Sequence, residues 1–574
     1  YQPLVDDALA AMTEQSFARR LWEKDASLWR QGPAGEKLIR KRLGWLDVVE
    51  VMCGCTKEIT DFAQEIIHSG FTNAVLIGMG GSSLSPEVSL QMLHQQKGYP
   101  KFHVIDSTVP GEVLRVADSI DIAKTLFIVS SKSGMTIETL AAYRYFLEKV
   151  SSLKGKNAAN NFIAITDSGS PLEAEALERG FRRIFLNPPD IGGRYSALSY
   201  FGLVPAAVFG ADIDRLLERA SRMAESCAPC VSPDSNPGII LGATMGELGL
   251  KGRDKVTIIA PPEIVGFEDW AEQLIAESTG KQGTGLVPIT REPLMSPDCY
   301  GEDRQFIYLR KTGSENAEMD DKVRALEHAG HPVVLIHLDD EYDLGQEYFR
   351  WETAVASVGA LLGIDAFDEP NVQESKDDTA RILGEYLRTE KLDEFKTAAE
   401  SDGLALLCDS ETKAALDGIR SVQMNTDASV YSYIAAHLAN FQPGNYFALT
   451  AFLQASSKIE SIVSELRAEL MSGFKAATTF NYGPRFLHST GQLHKSGPNS
   501  GIFIQLTADD PEDVSIPGVR YSYSLLKQAQ ALGDGISLRS KGRPFIRLHL
   551  GDDISGNLDR ILQMVKRAME ENKR

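Results

Sequence analysis

The sequence has few cysteines, no long apolar run and no excess of positive charge. Its 574 residues include six cysteines, too few for a fold held together by disulfides. No stretch of about 18 apolar residues occurs, so no transmembrane helix is predicted. Lysine and arginine number 59 against 79 aspartates and glutamates, a net charge of −20. This charge argues against nucleic-acid and anionic-membrane partners, and an anionic substrate would need local cations or backbone amides.

The N-terminus predicts no targeting segment, and the cysteines predict no metal site. No basic segment followed by an apolar core opens the chain, so no signal peptide is predicted and we expect a cytoplasmic protein with reduced thiols. The chain begins at Tyr1, which is consistent with a segment of a longer chain or a processed one. Cys53 and Cys55 form one pair, and Cys227 and Cys230 another. Nothing brings the pairs together, so we expect no metal site; a four-thiolate zinc site is the alternative.

Short apolar runs alternate with helical stretches between about residues 72 and 376. This pattern predicts an α/β fold with two doubly wound parallel-sheet domains, 61–232 and 233–376, after a helical lead-in at 1–60. Residues 377–574 are predicted as a mixed α/β domain. The predicted strands are 74–79, 102–105, 125–130, 162–166, 183–186, 256–260, 305–309, 333–337, 404–407, 429–434, 446–453, 476–480, 502–507 and 545–548. The predicted helices include 139–150, 346–362 and 557–571.

Two predicted strands end in turns rich in glycine, serine and threonine. The first turn lies in IGMGGSSLSP (77–86), and the second in IVSSKSGMTIET (128–139). Free backbone amides and hydroxyls at the carboxyl end of a strand suit an anion, although helix capping alone also explains them. Neither turn has the G-x-G-x-x-G or P-loop pattern, which argues against a nucleotide. The pair therefore favours the monophosphate of a small sugar.

With three further segments, these turns resemble the sugar isomerase domains of glucose-6-phosphate isomerases. The segments are IGGRYSALSYFGL (191–203), EQLIAESTGK (272–281) and FDEPNVQESK (367–376), in family order, so the resemblance covers about 70–376. GPRFLHSTGQLHKSGPNSG (483–501) is similar to the family's histidine segment but follows the lysine segment instead of preceding it. This order resembles the isomerase half of bifunctional transaldolase/glucose-6-phosphate isomerase fusions. No transaldolase barrel is visible, so no transaldolase activity is expected.

The resemblance implies reversible aldose–ketose isomerisation of glucose 6-phosphate and fructose 6-phosphate through a cis-enediolate, with ring opening and without metal or cofactor. It implies that Glu277 is the base, that Arg194 stabilises the enediolate, and that Lys376 assists ring opening. His488 would be the acid–base partner in ring opening, with His494 as the alternative. The implied phosphate ligands are Ser82, Ser131, Lys132, Ser133 and Thr136. The other implied substrate-binding residues are Gly81, Gly193 and Gln273.

Two residues depart from the family pattern. Glu369 stands where the family commonly has glutamine, and its carboxylate would either repel the substrate or pair with Lys376. Gly134 replaces a bulkier residue, so a looser phosphate turn is expected. The displaced histidine segment allows His488 to enter the site by another route, including from a partner subunit.

Other functions and partners stay open at this point. A non-catalytic sugar-phosphate sensor would keep the phosphate turns without needing a base. The motifs do not exclude an isomerase that also accepts mannose 6-phosphate. A nicotinamide dehydrogenase is disfavoured because G-x-G-x-x-G is absent. The resemblance also implies a homodimer and, in a longer chain, fusion to a transaldolase domain.

Overall fold

The N-terminal part of the chain is helical. The computed structural model describes residues 1–29, 32–392, 395–422 and 427–572. Five helices precede the first strand, as the periodicity of the opening residues predicts. They are α1 (Gln2–Glu14), α2 (Phe17–Trp22), α3 (Gly32–Arg40), α4 (Val48–Cys53) and α5 (Thr56–His68). Their apolar side chains join the largest core cluster, which extends into the two units that follow.

The first sheet is parallel, with strand order β2-β1-β3-β4-β5. Chain connections leave β1 and β3 in opposite directions, so the crevice between their carboxyl ends is where such sheets bind ligands. The strands are β1 (Asn73–Ile77), β2 (Lys101–Ile105), β3 (Thr125–Ser130), β4 (Phe162–Asp167) and β5 (Arg183–Asn187). The helices are α6 (Leu84–Leu93), α7 (Pro110–Ser119), α8 (Ile137–Lys154), α9 (Pro171–Arg179), α10 (Tyr200–Val208) and α11 (Ile213–Ser226).

The second sheet is also parallel, with order β7-β6-β8-β9. Its strands are β6 (Lys255–Ile259), β7 (Val287–Ile289), β8 (Arg304–Lys311) and β9 (Val333–Leu338). Its helices are α12 (Pro237–Leu250), α13 (Gly266–Thr279), α14 (Ala317–His328) and α15 (Leu344–Leu362). Four tryptophans, Trp29, Trp45, Trp270 and Trp351, are fully buried among the helices of this half of the chain.

The third sheet is mixed, with order β10-β11-β15-β14-β12-β13; β11 runs antiparallel to both of its neighbours. Its strands are β10 (Lys396–Ser401), β11 (Leu404–Cys408), β12 (Tyr446–Phe452), β13 (Ala477–Tyr482), β14 (Gly501–Thr507) and β15 (Phe545–His549). The helices are α16 (Pro370–Thr389), α17 (Ser410–Val422), α18 (Val430–Leu438), α19 (Ser457–Phe474), α20 (Gly491–Ser496), α21 (Tyr523–Ser540) and α22 (Ile554–Asn572). Helix α21 packs on the first sheet's core through Tyr523 and Leu526, which brings the third unit against the first.

These three sheets confirm the α/β fold class, with one wrong element. The strand predicted at 429–434 is the start of helix α18, where the Ser429 side chain accepts a hydrogen bond from the Ser432 amide and caps the helix. The predicted domain boundaries stay a prediction, and helix α16 runs continuously across residue 376. In the part of the chain that the structure describes, no helix is both long and apolar enough to cross a membrane.

Candidate active site

The turn after β1 is packed between two other parts of the chain. Residues Gly80–Ser82 form a short 3-10 helix, and Gly80 adopts a φ of +55°. A Cβ atom on Gly80 would lie 2.9 Å from the carbonyl oxygen of His488 and 3.0 Å from Nε2 of Gln273. Ser130, at the end of β3, donates a hydrogen bond of 3.1 Å to the Ser82 carbonyl, which links this turn to the next. Glycine is therefore needed here for close approach as well as for its backbone conformation.

The turn after β3 has the predicted hydroxyl groups, but its lysine is bound in an ion pair. The hydroxyls of Ser131 and Thr136 lie 3.1 Å apart, and the Gly134 amide donates to Ser131 Oγ at 3.2 Å. The ammonium of Lys132 is bound by the carboxylate of Asp167 and donates to the Pro189 carbonyl at 3.2 Å. Lys132 is thus compensated by a carboxylate, whereas Ser133 faces a cavity.

Gly134 does not loosen this turn, contrary to expectation. Its φ is +67°, and a Cβ there would lie 2.6 Å from the Leu172 amide nitrogen at the start of α9. The missing side chain therefore allows tight packing of the turn against helix α9.

Arg194 is the most heavily bonded cation of the site. It lies in the 3-10 turn Gly193–Tyr195 and is 2% exposed. Its guanidinium donates to Ser278 Oγ at 2.7 Å, and to the carbonyls of Ala366 at 2.8 Å and Asp368 at 3.0 Å. The first turn meets this one edge to edge, because a Cβ on Gly81 would lie 2.0 Å from the Gly193 carbonyl oxygen. The sequence-predicted Gly81, Gly193 and Arg194 are therefore in direct contact.

Glu277 lies on α13 with its carboxylate directed at this cluster. Oε2 is 3.7 Å from NH1 of Arg194 and accepts a hydrogen bond of 3.2 Å from Gln273 Nε2. The same Gln273 nitrogen lies 2.9 Å from the His488 carbonyl. Burial raises the pKa of the Glu277 carboxyl, and the positive charge of Arg194 opposes that rise. A buried carboxyl with a raised pKa, beside a fixed cation, is suited to accept and return a proton.

Glu369 pairs with arginines and not with Lys376. Its Oε2 is 3.1 Å from NH1 of Arg194, and its Oε1 is 3.3 Å from NH2 of Arg42. Burial alone would raise its pKa, but the two arginines lower it below the usual value. The expected pairing of Glu369 with Lys376 is therefore not observed, and its partners are Arg194 and Arg42.

His488 reaches the site from the same chain. Its Nε2 lies 2.9 Å from Oε1 of Glu138, and Gln530 donates to that carboxylate oxygen at 2.7 Å. Burial alone would raise the pKa of Glu138, but its net shift is downward because the neighbouring His488 favours the charged carboxylate. Glu138 is missing from the sequence-based prediction. It follows the second turn directly, in the first helical turn of α8, where an acidic residue is ordinary.

His494, the alternative histidine, lies apart from this arrangement. It is 1% exposed and packs against the rings of Phe486 and Phe503. Burial lowers its pKa to about 3, with Lys495 and Arg543 adding to the effect. His494 is therefore a neutral core residue.

Lys376 and His488 line one cavity of about 380 Å³. Lys376 is half-buried on α16, facing the N-terminal turns of α8 across the cavity. Gln492 fixes the start of α16 to the end of α13, because it donates to the Gly280 carbonyl at 3.1 Å and to Asn371 at 2.9 Å. The cavity is also lined by Ser133, Glu138, Gln530 and Arg144. Glu277 and Arg194 are not among its lining residues; Gln273 connects Glu277 to the His488 carbonyl.

Metal ligands are not gathered at this site. Among the residues that the structure describes, no three His, Cys, Asp or Glu side chains lie close enough together to hold a metal ion. All six cysteines have free thiols.

Comparison with known proteins shows the family of this chain. The model of the family described as phosphoglucose isomerase matches residues 47–283. A glucose-6-phosphate isomerase of Thermus thermophilus is 30% identical over 403 residues, which cover 61% of this chain and 94% of that protein. The chain belongs to the glucose-6-phosphate isomerase family. A probable glucose-6-phosphate isomerase of Methanococcus maripaludis is 27% identical over 395 residues, covering 62% of this chain and 87% of that protein.

A solved structure agrees on the fold. A hypothetical protein of Thermus thermophilus superposes with a TM-score of 0.57 and 26% identity, covering 66% of this chain and 97% of that one. Family membership confirms the resemblance drawn from the five segments of the sequence. Each residue role that the resemblance implies stays a prediction.

Proposed function

We propose that this chain interconverts glucose 6-phosphate and fructose 6-phosphate, with Glu277 moving a proton between C2 and C1 of the open-chain sugar through a cis-enediolate. The observation that carries the assignment is the buried Glu277 carboxyl, 3.7 Å from the guanidinium of Arg194. A base must be able to hold a proton and give it back, which the raised pKa favours. Arg194 supplies a fixed positive charge where the enediolate oxygens become negative.

Ring opening is assigned to His488 and Lys376. His488 would take the proton of the anomeric hydroxyl, and Lys376 would donate toward the ring oxygen. The hydrogen bond of 2.9 Å to Glu138 orients the imidazole. Both side chains face the same cavity, which supports their acting on one ligand.

The phosphate is assigned to the two turns at the carboxyl ends of β1 and β3. The predicted ligands are Ser82, Ser131, Ser133 and Thr136, with Lys132 contributing only if its bond to Asp167 gives way. Backbone amides beside Gly81 and Gly193 and the amide of Gln273 complete the proposed contacts. Donors of this kind suit an anion without a nucleotide-binding pattern.

Location and assembly are proposed from the sequence and the resemblance. The net charge of −20 argues against nucleic-acid partners, and a cytoplasmic location is proposed from the resemblance. A homodimer and, in a longer chain, fusion to a transaldolase domain are proposed from the resemblance alone.

A coupled assay of fructose 6-phosphate conversion, with a metal chelator present, tests the proposal. The comparison is between the unmodified chain, Glu277→Gln and the matched control Glu272→Gln. Glu272 is a buried carboxyl on the same helix, but it bonds Thr290 at 2.9 Å and Asn481 at 2.7 Å instead of Arg194. Loss of a general base should cost at least about a hundredfold, and the control should stay within a few-fold.

Two results would contradict the proposal, and a third would widen its substrate range. A chain that binds the sugar phosphate without turnover would be a sensor. Full activity in Glu277→Gln would place the base elsewhere. Turnover of mannose 6-phosphate at a comparable rate would show that C2 stereochemistry is not selected.

A further inference from the structure

We propose that Glu369 is a positioning residue for the isomerisation: it shares the charge of Arg194 with Glu277 and so sets the pH at which Glu277 can accept a proton. The inference rests on the proposed role of Glu277 as the base. It concerns a residue that touches neither of the two phosphate turns and acts through the arginine.

The geometry is a row of four side chains whose charges alternate in sign. Glu369 lies 3.3 Å from Arg42 and 3.1 Å from Arg194. Arg194 lies in turn 3.7 Å from Glu277. Both carboxylates contact the same guanidinium nitrogen, NH1 of Arg194, so the two oxygens are at most about 6.8 Å apart, close enough for a strong interaction at low dielectric. Arg194 itself is held by Ser278 and by the carbonyls of residues 366 and 368, so it cannot turn toward one carboxylate alone.

Few other charges act on Glu277. Lys281, just beyond α13, and His488 are the further groups whose positive charge would favour its ionised form. Lys281 is itself occupied, because it bonds the Asp368 carboxylate at 2.6 Å and the Asp365 carbonyl at 2.6 Å. His488 is occupied by Glu138. Glu369 acts on Glu277 as a nearby negative charge and opposes these cations.

Titratable groups on the elements packed against α13 are buried or are bonded to other partners. On α15, Glu352 is fully buried, and burial raises its pKa well above the usual value. On α6, Glu87 pairs with Arg485. On α20, His494 is neutral, and Lys495 pairs with Asp534 at 3.0 Å. On α13 itself, Glu268 accepts from the Arg291 amide, and Glu272 bonds Thr290 and Asn481.

The physical consequence follows from the balance of these charges. A single buried arginine at 3.7 Å would hold Glu277 as a carboxylate in a stable ion pair, a poor proton acceptor. Burial raises the pKa of Glu277 and Arg194 opposes that rise; the negative charge of Glu369, 3.1 Å from the same guanidinium, adds to the rise because it disfavours a second carboxylate nearby. Arg42 in turn partly neutralises the charge of Glu369, so a change at Arg42, which is more exposed than Arg194, also alters the pKa of Glu277.

The test is the pH at which Glu277 titrates in Glu369→Gln and in Arg42→Gln. Glu369→Gln should move the acid limb of kcat/KM for fructose 6-phosphate to lower pH by about one unit or more, as expected for removal of a unit charge at this range. Arg42→Gln should move it to higher pH, by less. The matched control is Glu374→Gln on α16, whose carboxylate bonds Asn371 and Lys541 and does not touch Arg194; it should leave the limb in place.

A second readout does not need turnover. The carboxyl band that Glu277→Gln removes from the infrared difference spectrum can be titrated directly, and its midpoint should shift as the acid limb does. Unmoved midpoints in both Glu369→Gln and Arg42→Gln would overturn the inference, whatever the activity. A shifted midpoint in a chain without isomerase activity would uphold the inference about Glu369 and overturn the proposed function instead.

Discussion

Substitution of Gly81 by alanine tests whether the first turn and the Arg194 turn meet as described. A Cβ on Gly81 would lie 2.0 Å from the Gly193 carbonyl oxygen, 2.3 Å from the Gly193 carbonyl carbon and 3.0 Å from the Arg194 amide nitrogen. All three are backbone atoms, so no side-chain rotation relieves the contact. The two turns must move apart.

The size of the effect follows from these distances. Real Cβ atoms essentially never come closer than 3.0 Å to another heavy atom, so a separation of about 1 Å or more is required. Overpacking of this kind costs roughly 1–3 kcal/mol of stability. A displacement of about 1 Å in a substrate-positioning group can cost about a hundredfold in rate. Gly81→Ala should therefore lower kcat/KM by about a hundredfold while leaving the protein folded.

The assay compares fructose 6-phosphate turnover and urea unfolding in Gly81→Ala and Gly192→Ala. Gly192 precedes the same contact, has a φ of −68°, and its added Cβ would meet only Tyr195 Cδ2, at 3.7 Å. Gly192→Ala should behave as the unmodified chain. Near-normal kcat/KM and stability in Gly81→Ala would refute the edge-to-edge contact of the two turns.

Two further predictions concern histidines. Glu138→Gln leaves His488 without an anionic acceptor, so kcat should fall about 10- to 100-fold, the worth of a charge-assisted hydrogen bond; unchanged steady-state kinetics would contradict the pairing. His494 stays neutral in the folded chain with a pKa of about 3, below the unfolded value of about 6.5, so stability is lost as pH falls below 6.5. At pH 5 this amounts to about 2 kcal/mol, which His494→Phe should abolish in urea unfolding while activity persists; an identical pH slope in both proteins would contradict it.

The central parallel strands β1, β3 and β6 could be predicted because they are buried on both faces and form nearly continuous apolar runs. The strand predicted at 125–130 is observed at Thr125–Ser130. Length and composition limit this reasoning elsewhere. The strand Val287–Ile289 is too short to give a pattern, and the apolar, aromatic run after Ser429 suits a strand and a buried helix equally.

The site could be predicted where its residues are close in sequence. Each glycine- and serine-rich turn is a local motif that can be recognised from contiguous residues alone. The contacts between distant residues could not be predicted in this way. His488 and Glu138 are 350 positions apart, and Arg42 and Glu369 are 327 apart, so tertiary packing alone brings them together. Glu138 lies in the first turn of a helix, where glutamate is common, so the sequence gives no sign that it bonds His488.

The distribution of cations explains how a chain with a net charge of −20 can attract an anionic substrate. Two cations near the turns are already compensated, Lys132 by Asp167 and Arg485 by Glu87 and Asp106. Lys376 and Arg144 line the cavity of His488 and make no ion pair with any residue that the structure describes. Because half-buried charges are screened less than surface charges, we expect these two side chains to attract a sugar phosphate that enters the cavity.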